Sequence, residues 1–254
     1  MALSQDKTYP LENIKLTKEY IDAWKITGLH LQKLFNEYNK IENSQGNGFN
    51  WLRTKIITPS FDSMTFRYKN QVFSILIDLI EFDDDKVISK TTQAAKDLQI
   101  KICAENNLLP CLFKIKIRNM KPATGSWNLF DTRTDKKINL FDLVSDTPIE
   151  ISDWELSNWA VSTVKNYLEK DGNKIISFND SPGISPNVFF EDKSGNKNWV
   201  LISVNGKHQN SNVKTNGDFQ KFSANVLINP INAEKIYRSN VAQVKYSGLK
   251  PLKD

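Results

Sequence analysis

"SPNVFFEDKSGNKNWVLISVNG", residues 185–206, reads as a strand, a polar turn and a second strand. Val188-Phe189-Phe190 and Trp199–Val204 are dominated by the aromatic and β-branched side chains that fit a pleated surface. Ser194-Gly195-Asn196 between them supplies the turn. The second strand carries no charge at all. Trp199, the largest side chain in the hairpin, is expected to lie buried beside the helix that precedes it, near Trp159 or Val164.

That helix has strong local boundaries. Ser152 and Glu155 have the spacing of a capping box, and Gly172 is placed to end the helix. Leu156, Trp159, Ala160, Val164, Tyr167 and Leu168 form its expected buried stripe. An earlier helix runs from Thr17 to about Ile41, where Tyr20, Trp24, Leu31, Leu34, Phe35 and Tyr38 recur at a helical period, with Gly28 on the same face. A helix is also expected from Val87 to Asn106, with Ile88, Ala95, Leu98, Ile102 and Cys103 inward.

Strand candidates follow both outer helices in a similar order. After the first come Lys55-Ile56-Ile57, Met64–Tyr68, a Lys-Asn turn, Val72–Ile80 and Cys111–Ile117. After the last come Lys174-Ile175-Ile176, a Ser/Pro/Gly-rich turn, the opening hairpin, Phe222–Ile228 and Ala242–Tyr246. The expectation is an α/β (mixed α+β) protein of two related helix–strand–hairpin–strand units, residues 1–146 and 147–254, with mixed sheets covered by helices. The continuous apolar run Val72–Ile77 reads as a central strand buried on both faces.

The chain has 254 residues, 39% hydrophobic and 25% charged, the balance of a globular protein. No apolar run approaches the roughly 20 residues that span a bilayer, and no signal peptide is visible, so a cytoplasmic protein away from membranes is expected. Cys103 and Cys111 are expected as buried thiols rather than a disulfide. The net charge of +5 is mild and spread along the chain.

Several chemistries have little to work with. His30 borders an apolar stripe and His208 lies in a polar loop, so neither belongs to a zinc-like ligand cluster. No P-loop, dinucleotide-binding or HExxH pattern is present. Neither metal nor cofactor is expected. Asp62 and Asp78 are acids of the first half without a following lysine; Asp78 is expected to emerge from the end of its strand.

From Ser152 to Val204 the chain resembles the restriction-endonuclease-like PD-(D/E)XK superfamily in element order: a helix, a strand, then a hairpin. The resemblance implies a Pro-Asp opening the hairpin and a Glu-x-Lys on its second strand. There the carboxylates hold a divalent metal that activates water, and the lysine stabilises charge on the phosphate. Pro186 matches the proline, and Asn187 stands where the aspartate should be. The Glu-x-Lys positions fall within Val200–Val204, which holds neither acid nor lysine. An amide and aliphatic groups cannot supply the charge a hard cation requires. A literal D…ExK match does exist in Asp180, Glu191 and Lys193, leading into the Ser194-Gly195-Asn196 turn.

One cationic pattern remains. In Phe113–Arg118, strand alternation puts Lys114, Lys116 and Arg118 together on one face, with Lys121 close behind. Such a stripe could contact phosphates, or it could guard an edge strand against aggregation. The leading expectation is a non-catalytic interaction or scaffold protein on a degenerate nuclease-like fold, with an unknown protein as partner. The alternative is a nucleic-acid binder or a metal-dependent nuclease using Asp180, Glu191 and Lys193. An enzyme of another class is a third reading.

Overall fold

A computed structural model of the chain describes residues 17–42, 49–53, 64–83, 86–180, 185–207, 219–238 and 242–252, the side chains of 38–42 and 53 excepted. The expected strand at Lys55–Ile57, Asp62, His208 and the side chain of Tyr38 lie outside the described residues. The protein is of mixed α/β class and divides into two units, one reaching Pro148 and one running from Ile149.

In the first unit, α1 (Lys18–Glu42) is followed by β1 (Asn50–Arg53), β2 (Met64–Tyr68), β3 (Gln71–Asp83) and β4 (Lys86–Ser89). Then come α2 (Gln93–Asn106), β5 (Leu109–Lys116), β6 (Lys121–Pro122), β7 (Leu129–Asp131) and β8 (Lys137–Ile138). These eight strands form one sheet in the order β1-β2-β3-β5-β7-β8, with β4 added to β3 and β6 to β5. The β3–β5 pair is parallel, with α2 in the connection; the other pairs are antiparallel.

Alternation along β3 explains why it is buried on both faces. Phe73, Ile75, Ile77 and Leu79 join Tyr20, Ala23, Leu31 and Phe35 of α1, together with Phe66, Phe113 and Ile115, in one apolar cluster. Val72, Ser74, Leu76 and Asp78 point the other way, where Val72 meets Cys103 of α2. Gly28 of α1 permits close packing: a Cβ there would sit 3.5 Å from Met64 Cε.

The second helix starts later than its periodicity suggests. Val87 and Ile88 belong to β4, and α2 begins at Gln93. The β-branched pair suits a strand, while Thr92 caps the helix by accepting from the Ala95 N–H at 3.1 Å. Ile88 is exposed, not inward.

In the second unit, α3 (Asp153–Lys170) leads into β9 (Lys174–Phe178), β10 (Val188–Glu191), β11 (Lys197–Val204), β12 (Gln220–Pro230) and β13 (Ala242–Pro251). The sheet order is β9-β10-β11-β12-β13, with β11–β12 parallel and the rest antiparallel. Three antiparallel strands, a parallel neighbour and an antiparallel fifth also describe β1-β2-β3-β5-β7 of the first unit. Each set follows a helix.

The capping box on α3 is complete: Ser152 Oγ accepts from the Glu155 N–H, and Glu155 Oε2 accepts from the Ser152 N–H at 3.1 Å. Gly172 takes a left-handed φ of +79° just past the helix end. Ala160, Val161, Val164 and Leu168 pack on Val188, Phe190, Val200, Ile202, Val226 and Ile228. Tyr167 of the expected stripe is half-exposed instead and rests against Tyr246, ring centroids 4.9 Å apart.

Trp199 is buried, but its expected neighbours are wrong. Val200 and Ile202 face α3, so pleat alternation turns Trp199 to the other side of the sheet, away from Trp159 and Val164. From Trp199 to Ile202 the strand is apolar at every position, so alternation there does not choose its inward face.

Candidate functional site

Asp78 is the best-buried acid among the candidates, at 1% exposure. It sits within β3 rather than emerging from its end, because β3 continues to Asp83. Strand β4 folds back along β3, pairing Ser89 with Ile80, and this brings the Ser89 hydroxyl onto Asp78 Oδ1 at 2.6 Å. Lys96 reaches down from α2 to within 3.9 Å of Oδ2, a charge contact too long for a hydrogen bond. Lys114 is the in-register neighbour of Asp78 on the parallel strand β5. Its ammonium pairs with Asp135 and lies 4.7 Å from the centroid of Phe130.

A neutral network continues the polar strip. Gln99 of α2, fully buried, donates to the carbonyls of Ser74 and Cys111 at 2.8 and 3.1 Å. Its oxygen accepts from the Thr132 hydroxyl at 2.8 Å. One side chain thus ties β3, β5 and the residue after β7 together. A helix-stripe reading passes over Gln99 because a glutamine carries no apolar signal, and Lys96 and Ser89 were missed for the same reason. The arrangement fixes one carboxylate between a hydroxyl and an ammonium group, which is suited to holding charge in place.

The cationic stripe is only partly free for a polyanion. Strand β5 lies between β3 and β7, so it is not an edge, and edge protection does not explain its lysines. Lys114 is engaged as described, and Lys116 lies 5.0 Å from the centroid of Phe82. The strand ends at Lys116, and 117–120 form a turn. Strand alternation therefore does not place the exposed Arg118, while Lys121 pairs with Lys116 across β5 and β6.

In the second unit the literal D…ExK match is not assembled. Phe178 pairs with Val188 and Lys174 with Glu191. Asp180 therefore lies beyond one end of β10 and Glu191 at the other, more than about 10 Å of extended strand away. Asp180 Oδ2 accepts from Asn158 Nδ2 at 2.6 Å, and Lys193 occupies the exposed turn. Asn187, at the aspartate position of the resemblance, is fully buried, and its Oδ1 accepts the backbone N–H of Ile202 at 2.8 Å. The amide side chain thus acts as a piece of strand backbone.

The cysteines are free and buried. Burial pushes the Cys103 thiol up to about 12 and raises Cys111 as well. His30 stacks on Trp127 with centroids 4.6 Å apart, and burial lowers its pKa. Among the described residues no three His, Cys, Asp or Glu side chains gather as metal ligands, and no helix is long and apolar enough to cross a membrane.

A family model described as a domain of unknown function, DUF8840, matches residues 154–252, from the first turn of α3 to the residue after β13. No curated protein and no solved structure matches the chain.

Proposed function

We propose that this chain is a non-catalytic interaction protein built from two units of like topology, the second carrying a nuclease-like hairpin put to structural use. The observation that carries the reading is Asn187. At the position where the restriction-endonuclease-like family holds its metal-binding aspartate, the side chain is sealed from solvent and spent on the Ile202 N–H. The strand that would follow with acid and lysine is apolar from Trp199 to Ile202, and Asp180 and Glu191 stand at opposite ends of β10. The common strand order of the two units supports their being related copies.

The test is cleavage of single- and double-stranded DNA and RNA with magnesium or manganese, run on the wild-type chain beside Glu191→Ala and Asp78→Asn. No metal-dependent cleavage is expected. Cleavage lost in Glu191→Ala would overturn the reading and make the second unit a nuclease. A second reading rests on Asp78, whose strand β3 holds the same place in its sheet as β11 does in the other. With Lys96 and Lys114 beside it, the first unit would act on a phosphodiester; cleavage lost in Asp78→Asn alone would identify that case.

A further inference from the structure

The sheet of the second unit has two unlike faces. The unit's one described helix, α3, packs on the face that carries Val188, Phe190, Val200, Ile202, Val226 and Ile228. On the opposite face, Lys174 and Lys197 pair with Glu191, Lys221 with Trp199, Lys245 with Leu227 and Lys250 with Ser223. These are all the lysines of the five strands, and each is exposed. Glu191 is the one acid of those strands; β11, β12 and β13 hold none. Lys245 and Lys250 make no ion pair with any described residue.

Register arranges three of these cations in a row. Lys197 stands two residues before Trp199, the partner of Lys221. The Leu252 N–H donates to the Lys221 carbonyl, so Lys250 is the next diagonal neighbour. Diagonal neighbours on a sheet lie about 7–8 Å apart. Lys197, Lys221 and Lys250 thus cross β11, β12 and β13 obliquely as a track of like charge. Like charges so close repel one another, a cost that an anion laid along the track relieves.

Two rings flank the start of the track. Phe189 pairs with Trp199 and so shares the lysine face, while Phe219 leads directly into β12. Their centroids are 5.7 Å apart, edge to face, and both rings are partly exposed.

We propose that this face binds single-stranded nucleic acid without regard to sequence, its lysines taking phosphates and Phe189 and Phe219 taking bases. Cations alone would suit any polyanion. Partly exposed rings beside them suit unpaired bases, because every base offers a π-face for stacking. A duplex keeps its bases stacked inside, and a sheet face projects no helix or ribbon into its major groove. The five strands contain no arginine, whose fork makes the commonest base-reading contact, so affinity comes through charge. This inference rests on the interaction reading above and supplies its partner.

The experiment follows fluorescence anisotropy of labelled oligothymidylate and oligouridylate, each of about 15 nucleotides, titrated with the full chain at several salt concentrations. Both strands, or one of them, are expected to bind with strong salt dependence, and the preferred sugar names the source. A duplex of equal length is expected to bind at least about tenfold more weakly. Lys197→Gln, Lys245→Gln and Lys250→Gln combined change only exposed side chains. That variant is expected to flatten the slope of log affinity against log salt by about 2, since each phosphate contact of a single strand contributes about 0.7. Arginine at the same three positions should restore binding. Phe219→Ala is expected to weaken binding about tenfold with the slope unchanged. Lys121→Glu, in the first unit, should alter nothing. No binding at low salt, unchanged binding in the glutamine variant, or equal binding to polyglutamate or to phosphatidylserine vesicles would overturn the proposal. Cleavage is scored separately: a strand neither bound nor cut removes this inference alone, whereas a strand cut by wild type and spared by Glu191→Ala removes the non-catalytic reading.

Discussion

Arg238 Nε donates to both carboxylate oxygens of Glu155, at 2.9 and 3.2 Å, and neither side chain is exposed to solvent. Glu155 is also the third helical residue of the α3 capping box, so one carboxylate closes the helix start and neutralises a buried guanidinium. The segment bearing Arg238 is fastened alongside by the Arg238 N–H to Ile149 carbonyl bond at 2.6 Å and the Ile151 N–H to Ile236 carbonyl bond at 2.8 Å. Buried pairs of this kind cost much desolvation, so their loss is felt more through the partner left behind than through the bond itself.

Removing one member of that pair should therefore be severe. Glu155→Ala is expected to destabilise the second unit by about 3–5 kcal/mol, because it strands the guanidinium and opens the cap. Glu155→Met combined with Arg238→Met is expected to be closer to wild type than either single change. Urea titrations of the three variants decide it, and additive losses would refute the coupling.

Asn187→Ala leaves the buried N–H of Ile202 without its acceptor, an expected loss of about 1–3 kcal/mol. Asn187→Asp keeps the acceptor but buries a charge, and is expected to be worse than alanine while gaining no metal-dependent cleavage. Denaturation midpoints and the cleavage assay together read both halves of this expectation.

At Asp78 a milder result is expected. Asp78→Asn keeps an oxygen for the Ser89 hydroxyl, and Lys96, partly exposed, can turn to water. The cost should lie near 1–2 kcal/mol, between an exposed and a buried pair. A loss above about 4 kcal/mol would mean that the carboxylate holds more than these two partners.

Trp199→Ala should cost about 3–5 kcal/mol, as truncation of a large buried aromatic does. Because Trp199 turns away from α3, its loss should be additive with that of Val164→Ala on the helix side. A strong non-additive term between them would place the ring against the helix after all.

Both thiols also make stability depend on pH. Burial holds Cys103 up at about 12 and raises Cys111 as well, while in the unfolded chain a thiol ionises at about 8.5. Above that value the unfolded state gives up protons the folded state keeps, so stability falls as pH rises from about 8.5 toward 12. The measurement is the urea midpoint at pH 7, 8.5 and 10, with Cys103→Ala and Cys111→Ala flattening the decline. Thiol reagents should label neither residue until the chain unfolds.

Chemistry confined to one stretch of chain was legible in the sequence. Ser152 and Glu155 lie three residues apart, so the capping box and the start of α3 followed from them, and the apolar period of α1 and the hairpin at 185–206 were equally local. The burial of Val72–Ile77 on both faces followed from a run that is apolar but for Ser74. What only the tertiary structure decided is what stands opposite each face. Periodicity says which side of a strand is apolar, but not which strand lies beside it. Hence Lys114 and Lys116 turned out to belong to an interior strand, and Asp78 drew Ser89 and Lys96 from two other elements. Trp199 shows the same limit within one strand: in a run apolar from Trp199 to Ile202, its face was set by the pairing of β11 with β10 and β12 and by the packing of Val200 and Ile202 on α3. Arg238 met Glu155 across 83 positions of chain, a separation over which sequence spacing carries no information and only close packing in a shared interior can choose the partner.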